Sequence, residues 1–228
     1  MTDPEEWRGP VADAAGPLPV RDRVVRFEGH VWSIITEEVD FGSTTAFRDV
    51  IHHPGAVAVI ALDEADRVLL IRQYRHPVGG YLFEAPAGLL DEAGEPPWQT
   101  AARELAEESG YCAKDWHVLV DLYTSPGGSS EAIRVYLARG LAPLADGRPR
   151  TGEAEEAHLP RVWVDLDEAR DLVLAGRIGS PTAVAGILAA WTGRAGDWAS
   201  LRSGDAPWEA RDRLLAADRV RVPRPDGA

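Results

Sequence analysis

The chain is expected to form a mixed α/β sandwich, an α+β arrangement preceded by a small antiparallel β meander. Three observations carry this. Short runs rich in β-formers recur at 24–53, 56–62, 68–74, 81–85, 116–123, 132–138 and 161–164. Helical periodicity is confined to three stretches, near 97–109, 166–175 and 180–191. Strands and helices do not alternate regularly, which argues against a doubly wound parallel sheet.

Residues 1–20 carry Pro4, Pro10, Pro17 and Pro19 among acids and small residues, an irregular arm. Between 24 and 53, Gly29 and the FGS stretch at 41–43 punctuate the β-formers as turns. Such a meander is too small to bury both faces alone, so it should pack on the main domain or on a second subunit. The runs 56–62 and 68–74, separated by 63–67, predict a hairpin. Pro96 and Pro97 suit the first turn of a helix, Trp98, Ala101, Ala102 and Leu105 repeat at helical spacing, and Gly110 stands where a helix stops. In 116–123 the apolar residues do not separate cleanly between the two faces. Ser180 and Pro181 read as N-cap and N1 of a helix that is apolar nearly all round through Trp191, hence well buried. The expected organisation is an arm and meander at 1–53, a main domain at 54–192 and an extension at 193–228 with no assigned role.

Composition narrows the function classes. The 228 residues hold 24 basic and 37 acidic side chains, a formal charge of −13, with 45% apolar and 27% charged residues. That balance is globular. The acid excess disfavours nucleic acid and anionic membrane as partners. A lone cysteine, Cys112, excludes an internal disulfide framework and a cysteine-rich zinc site. Without a signal-like N-terminus or a long apolar run, the expected location is the cytoplasm. Lys114 is the only lysine; the arginine bias suits phosphate contacts but also reflects base composition.

The chemistry concentrates in GLLDEAGEPPWQTAARELAEESGY, residues 88–111. Glu104, Glu107 and Glu108 stand at i, i+3 and i+4, so a helix gathers their carboxylates on one face. Like charges so close are unfavourable, and the second half of a helix favours cations instead. Two local rules broken at one place mark a functional site. A hard divalent cation resolves both conflicts, and Mg²⁺ takes carboxylate oxygens, waters and phosphates. The bland alternative is a solvated acidic face partly neutralised by Arg103.

The segment resembles the signature of the Nudix hydrolases. Gly88, Glu95, Arg103, Glu104, Leu105, Glu107, Glu108 and Gly110 stand at its fixed positions, with six residues rather than five between Gly88 and Glu95 and Tyr111 in place of the final aliphatic. The flanks FRDVIHHPGAVAVIAL, RQYRHP, FEAPAGLLD and TSPGGSSE are similar to the ADP-ribose pyrophosphatase branch, as is Pro126, sixteen residues past Gly110.

The resemblance implies a Nudix α/β/α sandwich that cleaves ADP-ribose to AMP and ribose 5-phosphate with Mg²⁺, or Mn²⁺ in its place. Glu104, Glu107, Glu108 and the Ala87 carbonyl would be the metal ligands. Arg103, Glu95 and Gly88 would support them. The catalytic base would come from GEAEEAHLPRVWV, with Glu155 the first candidate and Glu156 or Glu153 the alternatives. Arg48, Arg75, Leu89, Ser125, Pro126, Gly127 and Glu131 would contact substrate. Phe27 and Trp32 would stack on adenine, with plain core packing as the alternative for each. Arg72 has no assigned role. His52, His53 and His76 are not expected to bind metal, His158 is incidental, and Cys112 serves packing. The branch also implies a homodimer whose N-terminal strands exchange, acting on a small nucleotide substrate. Two other readings stand beside it: a Nudix enzyme for another nucleoside diphosphate sugar or dinucleotide, and a non-catalytic ADP-ribose-binding sensor.

Overall fold

A computed structural model describes residues 9–92, 94–149 and 159–221. Its centre is a five-stranded sheet of β4 (Ala56–Ala61), β7 (Ala87–Leu89), β9 (Asp115–Tyr123), β10 (Ala132–Arg139) and β13 (Arg202–Ser203), in the order β13-β9-β10-β4-β7. β4 and β10 run parallel and the other pairings are antiparallel, so the sheet is mixed.

β4 is apolar at every position because both of its faces are covered. Ala56, Ala58 and Ile60 join Val135 and Leu137 beneath α2 (Leu166–Leu174) and α3 (Pro181–Ala195). Val57, Val59 and Ala61 point the other way, joining Tyr136, Ala138, Trp208 and the inner residues Ala101 and Leu105 of α1 (Pro97–Ser109). The expected sandwich of helices about a mixed sheet is therefore present.

Three readings change on contact with the structure, and a fourth, the mixed faces of 116–123, finds its cause. The runs at 56–62 and 68–74 are strands joined by a tight turn, but they do not form a hairpin. After one bridge, Leu62 to Val68, they diverge, and β5 (Arg67–Arg75) pairs instead with β6 (Gly80–Glu84) and β12 (Arg161–Asp165). The blurred faces of β9 have a cause. A register shift opposite Val135/Tyr136 leaves Leu119 between the paired residues Val118 and Val120. Val118 consequently faces α1, whereas Val120 and Leu122 face α3. Trp98, expected on the inner face of α1, is 37% exposed; Thr100 and two glutamates take buried places there. Finally, Ser180 stands at the N-cap of α3 but makes no side-chain cap hydrogen bond; its hydroxyl pairs with Thr182 Oγ1 at 3.2 Å.

The N-terminal meander is β1 (Val20–Glu28), β2 (Ser33–Asp40) and β3 (Thr45–His52), all antiparallel. Nearly all of β1 is exposed. Two-residue strands β8 (Tyr111–Cys112) and β11 (Ala142–Pro143) pair beyond α1. Within the described C-terminal residues, β13 extends the central sheet, Trp208 enters its core, and α4 (Glu209–Ala216) follows. Among the described residues no helix is long and apolar enough to cross a membrane.

Candidate active site

Helix α1 ends at Gly110, whose φ of +75° is the left-handed conformation of a C-cap and whose N–H donates to the Ala106 carbonyl at 2.8 Å. No basic residue occupies the last turn of this helix. The structure supplies cations from elsewhere. Arg148 Nε donates to the Glu107 carbonyl at 2.6 Å, and Arg161 donates to the Ser109 carbonyl. These two arginines answer the negative helix end, and nothing local in the sequence announces them.

The three glutamates divide. Glu104 and Glu108, one turn apart, are 8% and 4% exposed and face β7, while Glu107 is more open. Ala87 N–H donates to Glu108 Oε2 at 2.8 Å. Gly88 lies so close to Glu104 that a Cβ there would come 2.0 Å from Oε1. Glycine at 88 is thus a steric requirement: any side chain would push the carboxylate out of place. Like-charge repulsion between exposed helix neighbours costs only about 0.2–0.5 kcal/mol. Burial of Glu104 and Glu108 raises their repulsion above that exposed-site figure, and the Ala87 N–H, about 1.5–3 kcal/mol as a hydrogen bond to a charged acceptor, offsets part of it.

Arg103 ties the cluster together. Its guanidinium reaches Glu104 at 2.7 Å, Glu107 at 3.2 Å and Glu95 at 3.2 Å. Burial alone would lower the Arg103 pKa, but the Glu95 hydrogen bond and the charges of Glu104, Glu95 and Glu107 prevail, and the net shift is upward. Glu95 also accepts from Thr100 Oγ1 at 2.8 Å. Burial would raise its pKa; the hydrogen bonds from Arg103 and Thr100 outweigh that and lower it. Glu95 therefore joins the loop before the helix to Arg103.

Among the described residues no three His, Cys, Asp or Glu side chains converge into a metal-holding group. The pair Glu104 and Glu108 nevertheless suits a hard cation. Both are oxygen donors, both are buried against backbone, and the Gly88 cradle leaves no room for a side chain between strand and carboxylate. Mg²⁺ typically takes one or two carboxylates and completes its shell with waters and substrate phosphates.

The other predicted residues fall in two groups. Leu89 pairs with Ala56 on β7, beside the glutamates. Arg75 makes a bidentate ion pair with buried Glu84, the shorter contact 2.6 Å. Glu84 has no role in the sequence reading; its only signal was its place in FEAPAGLLD. Arg48 lies on β3, donates to the Phe47 carbonyl at 2.9 Å and covers the Phe41 ring at 5.3 Å, contacts that all fall inside the meander. Ser125 opens a turn in which Gly128 and Ser129 N–H donate to its carbonyl, with Pro126 and Gly127 at the turn's centre. That loop is stitched to β3: Ile51 N–H donates to the Gly128 carbonyl at 2.8 Å and Ser130 N–H to the Ile51 carbonyl at 3.0 Å. Glu131 accepts from Thr124 Oγ1 and lies 3.6 Å from His53 Nε2. Gly55 N–H donates to His53 Nδ1 at 3.1 Å, so the neutral ring carries its proton on Nε2, toward Glu131. His53 thus has a carboxylate partner that the sequence did not disclose.

Phe27 and Trp32 flank the β1–β2 turn with ring centroids 5.8 Å apart. They are 51% and 38% exposed, so core packing is not what they do in this chain. Glu153, Glu155, Glu156 and His158 lie outside the described residues.

A NUDIX domain model matches residues 52–183. The ADP-ribose pyrophosphatase of Mycobacterium tuberculosis (strain ATCC 25618 / H37Rv) is 44% identical over 193 residues, covering 84% of this chain and 91% of that protein. The methanol dehydrogenase activator of Bacillus methanolicus is 37% identical over 153 residues, covering 67% and 80%. A crystal structure described as an ADP compounds hydrolase superposes with a TM-score of 0.68 over 82% of this chain and 98% of its own, at 21% identity, a likeness of fold. Hydrolases of this family generally depend on a divalent metal. Signature, helix geometry and matched length agree, and the chain belongs to the Nudix family of hydrolases.

Proposed function

We propose that the chain hydrolyses the diphosphate of ADP-ribose to AMP and ribose 5-phosphate, using Mg²⁺, with Mn²⁺ able to replace it. The observation that carries this is the burial of Glu104 and Glu108 together against the Ala87–Gly88 backbone, in a chain 44% identical to an ADP-ribose pyrophosphatase.

In this reading Glu104, Glu108 and the Ala87 carbonyl would hold the cation, with Glu107 a third or bridging ligand. When bound, the cation would supply charge neutralisation at the diphosphate and activation of the attacking water. The chain's own residues do the rest. Arg103 holds Glu104 and Glu107 in place, and Glu95 holds Arg103. Arg75 and Arg48 bind phosphate or the terminal ribose. Ser125, Pro126, Gly127 and Glu131 face the ribose, and the Leu89 backbone approaches the diphosphate. Phe27 and Trp32 offer exposed rings for adenine, where stacking on a base contributes about 1–3 kcal/mol. Glu155 or Glu156 supplies the base that takes a proton from the attacking water. The expected organisation remains an arm and meander at 1–53, a catalytic domain at 54–192 and an extension at 193–228. The exposed meander is read as the dimerisation element of a cytoplasmic homodimer, with no nucleic acid or membrane as partner.

The test is incubation with ADP-ribose and either cation. AMP release supports the reading, and no turnover in both Mg²⁺ and Mn²⁺ rejects it. A panel of other nucleoside diphosphate sugars ranked by kcat/KM decides among substrates. A relative named as a methanol dehydrogenase activator keeps a regulatory role in view, and the second reading is a non-catalytic ADP-ribose-binding Nudix-like sensor. Binding of ADP-ribose with no AMP formed in either cation would select it.

A further inference from the structure

We infer that the C-terminal segment 206–221 is a strap that sets the position of the adenine-facing β1–β2 hairpin, and that Arg221 is its positioning residue. The inference rests on the substrate reading given above for Phe27 and Trp32.

The strap is anchored in the core. Arg134 on β10 is 2% exposed, and its guanidinium is paired with both oxygens of Asp121 at 2.7 and 3.0 Å. It also donates to the carbonyls of Ala206 at 2.6 Å and Pro207 at 3.0 Å and lies 4.8 Å from the Trp208 ring. A buried guanidinium that satisfies itself on two successive carbonyls fixes the backbone there. In the first turn of α4, Arg211 donates to the Pro54 carbonyl at 2.7 Å.

The far end grips the meander. Arg219 donates to Glu37, a β2 residue 1% exposed, which also accepts from Arg23 of β1 at 2.8 Å. Arg23 returns to Asp218 at 2.6 Å. Buried Val220 bridges His53, the residue beside Glu131 of the ribose-facing loop. Arg221 then closes on the hairpin tip, donating to the Gly29 carbonyl at 2.6 Å and the His30 carbonyl at 2.8 Å. That tip lies between Phe27 and Trp32. Among the described residues β1 pairs with β2 alone, so the tip has no described sheet neighbour on its outer side. Three consecutive residues of the strap therefore touch the hairpin, the loop-bearing end of β3 and the turn that carries the aromatic pair.

The experiment compares the full chain with Arg221→Ala and Arg221→Lys. Two readouts are taken: steady-state kinetics with ADP-ribose, and hydrogen exchange of the amides at 29–32 against those of β10. Alanine should speed exchange at 29–32 and leave β10 unchanged, while KM rises about tenfold and kcat stays within about twofold. Lysine, which reaches one carbonyl at a time, should recover part of both effects. Unchanged exchange at 29–32 overturns the inference whatever the kinetics show. Faster exchange with unchanged KM overturns its substrate half. A loss of kcat matching a loss of folded protein also overturns it. If the unaltered chain does not cleave ADP-ribose, the substrate reading fails, and the exchange comparison alone decides whether Arg221 holds the hairpin.

Discussion

The two ends of the candidate site are held by different physics. At the helix end, Glu104 and Glu108 are buried against β7, and the groups that fix them (Ala87, Gly88, Glu95 and Arg103) all lie within about twenty residues of sequence. Steric contact and short hydrogen bonds define that end, and a packed region yields little. At the other end, Phe27 and Trp32 are exposed, and the turn between them is held by Arg221, 192 residues away from Gly29. Polar ties at a surface are individually worth little and open readily. In the proposed reading, chemistry belongs to the first end and recognition to the second. Damage at the helix should appear in kcat, and damage at the hairpin in KM.

The sharpest way to break that comparison is Glu108→Gln. It preserves shape and can still accept from Ala87, but it removes a metal-binding charge. We expect kcat to fall about 10³-fold with little change in the folded state by circular dichroism. A fall of less than tenfold would mean that the buried pair does not serve the reaction. Gly88→Ala tests the cradle rather than the charge. The added Cβ must displace Glu104, and we expect kcat to drop about 10²-fold, as misplacement of about 1 Å commonly causes. Unchanged kcat would show that the Glu104 position is not critical.

At the recognition end, Phe27→Ala and Trp32→Ala should each raise KM about five- to a hundredfold while sparing kcat, the range set by base stacking. If either instead lowers kcat with KM unchanged, the division between the two ends fails. The smallest effect concerns acid. Burial lowers the pKa of His53 below its ordinary 6.5, with Glu131 opposing more weakly. Burial and the Arg23 charge do the same to His52, whose Nε2 is buried without a hydrogen-bond partner among the described residues. The unfolded chain therefore binds more protons than the folded one as pH falls below about 6.5, and stability is lost in that window. The lowered Glu95 pKa adds a second loss below its ordinary 4.5. Thermal melts should give a lower Tm at pH 5 than at pH 7.5, and a flat or rising Tm on acidification would sink the assignment.

Sequence reading succeeded where geometry is local. A helix places i, i+3 and i+4 on one side, so the common side of Glu104, Glu107 and Glu108 was legible before any coordinates, as was the Gly110 stop, but among the described residues no three such side chains converge. It did not show that Glu104 and Glu108 turn inward while Glu107 stays more open, because that depends on where β7 lies. The β9 ambiguity was real information: a bulge at Leu119 exchanges the two faces, and an alternation rule has no place for an extra residue. The 56–62 and 68–74 pair misled because a tight turn predicts a hairpin, whereas the partners of β5 come from 80–84 and 161–165. Least legible was the strap. Arginines that donate to carbonyls leave no pattern in sequence, since every residue offers a carbonyl. Arg134, Arg211, Arg219 and Arg221 read only as scattered basic residues until the fold brought them to their acceptors.

Binding of Mn²⁺ gives the most direct test of the central claim. Titration followed by electron paramagnetic resonance, in the presence of a non-hydrolysable ADP-ribose analogue, compares the chain with its Glu104→Gln/Glu108→Gln variant. The account predicts saturable binding to the former and loss of that binding in the latter, with the fold intact by circular dichroism. Equal affinity in both would place the cation elsewhere and contradict it.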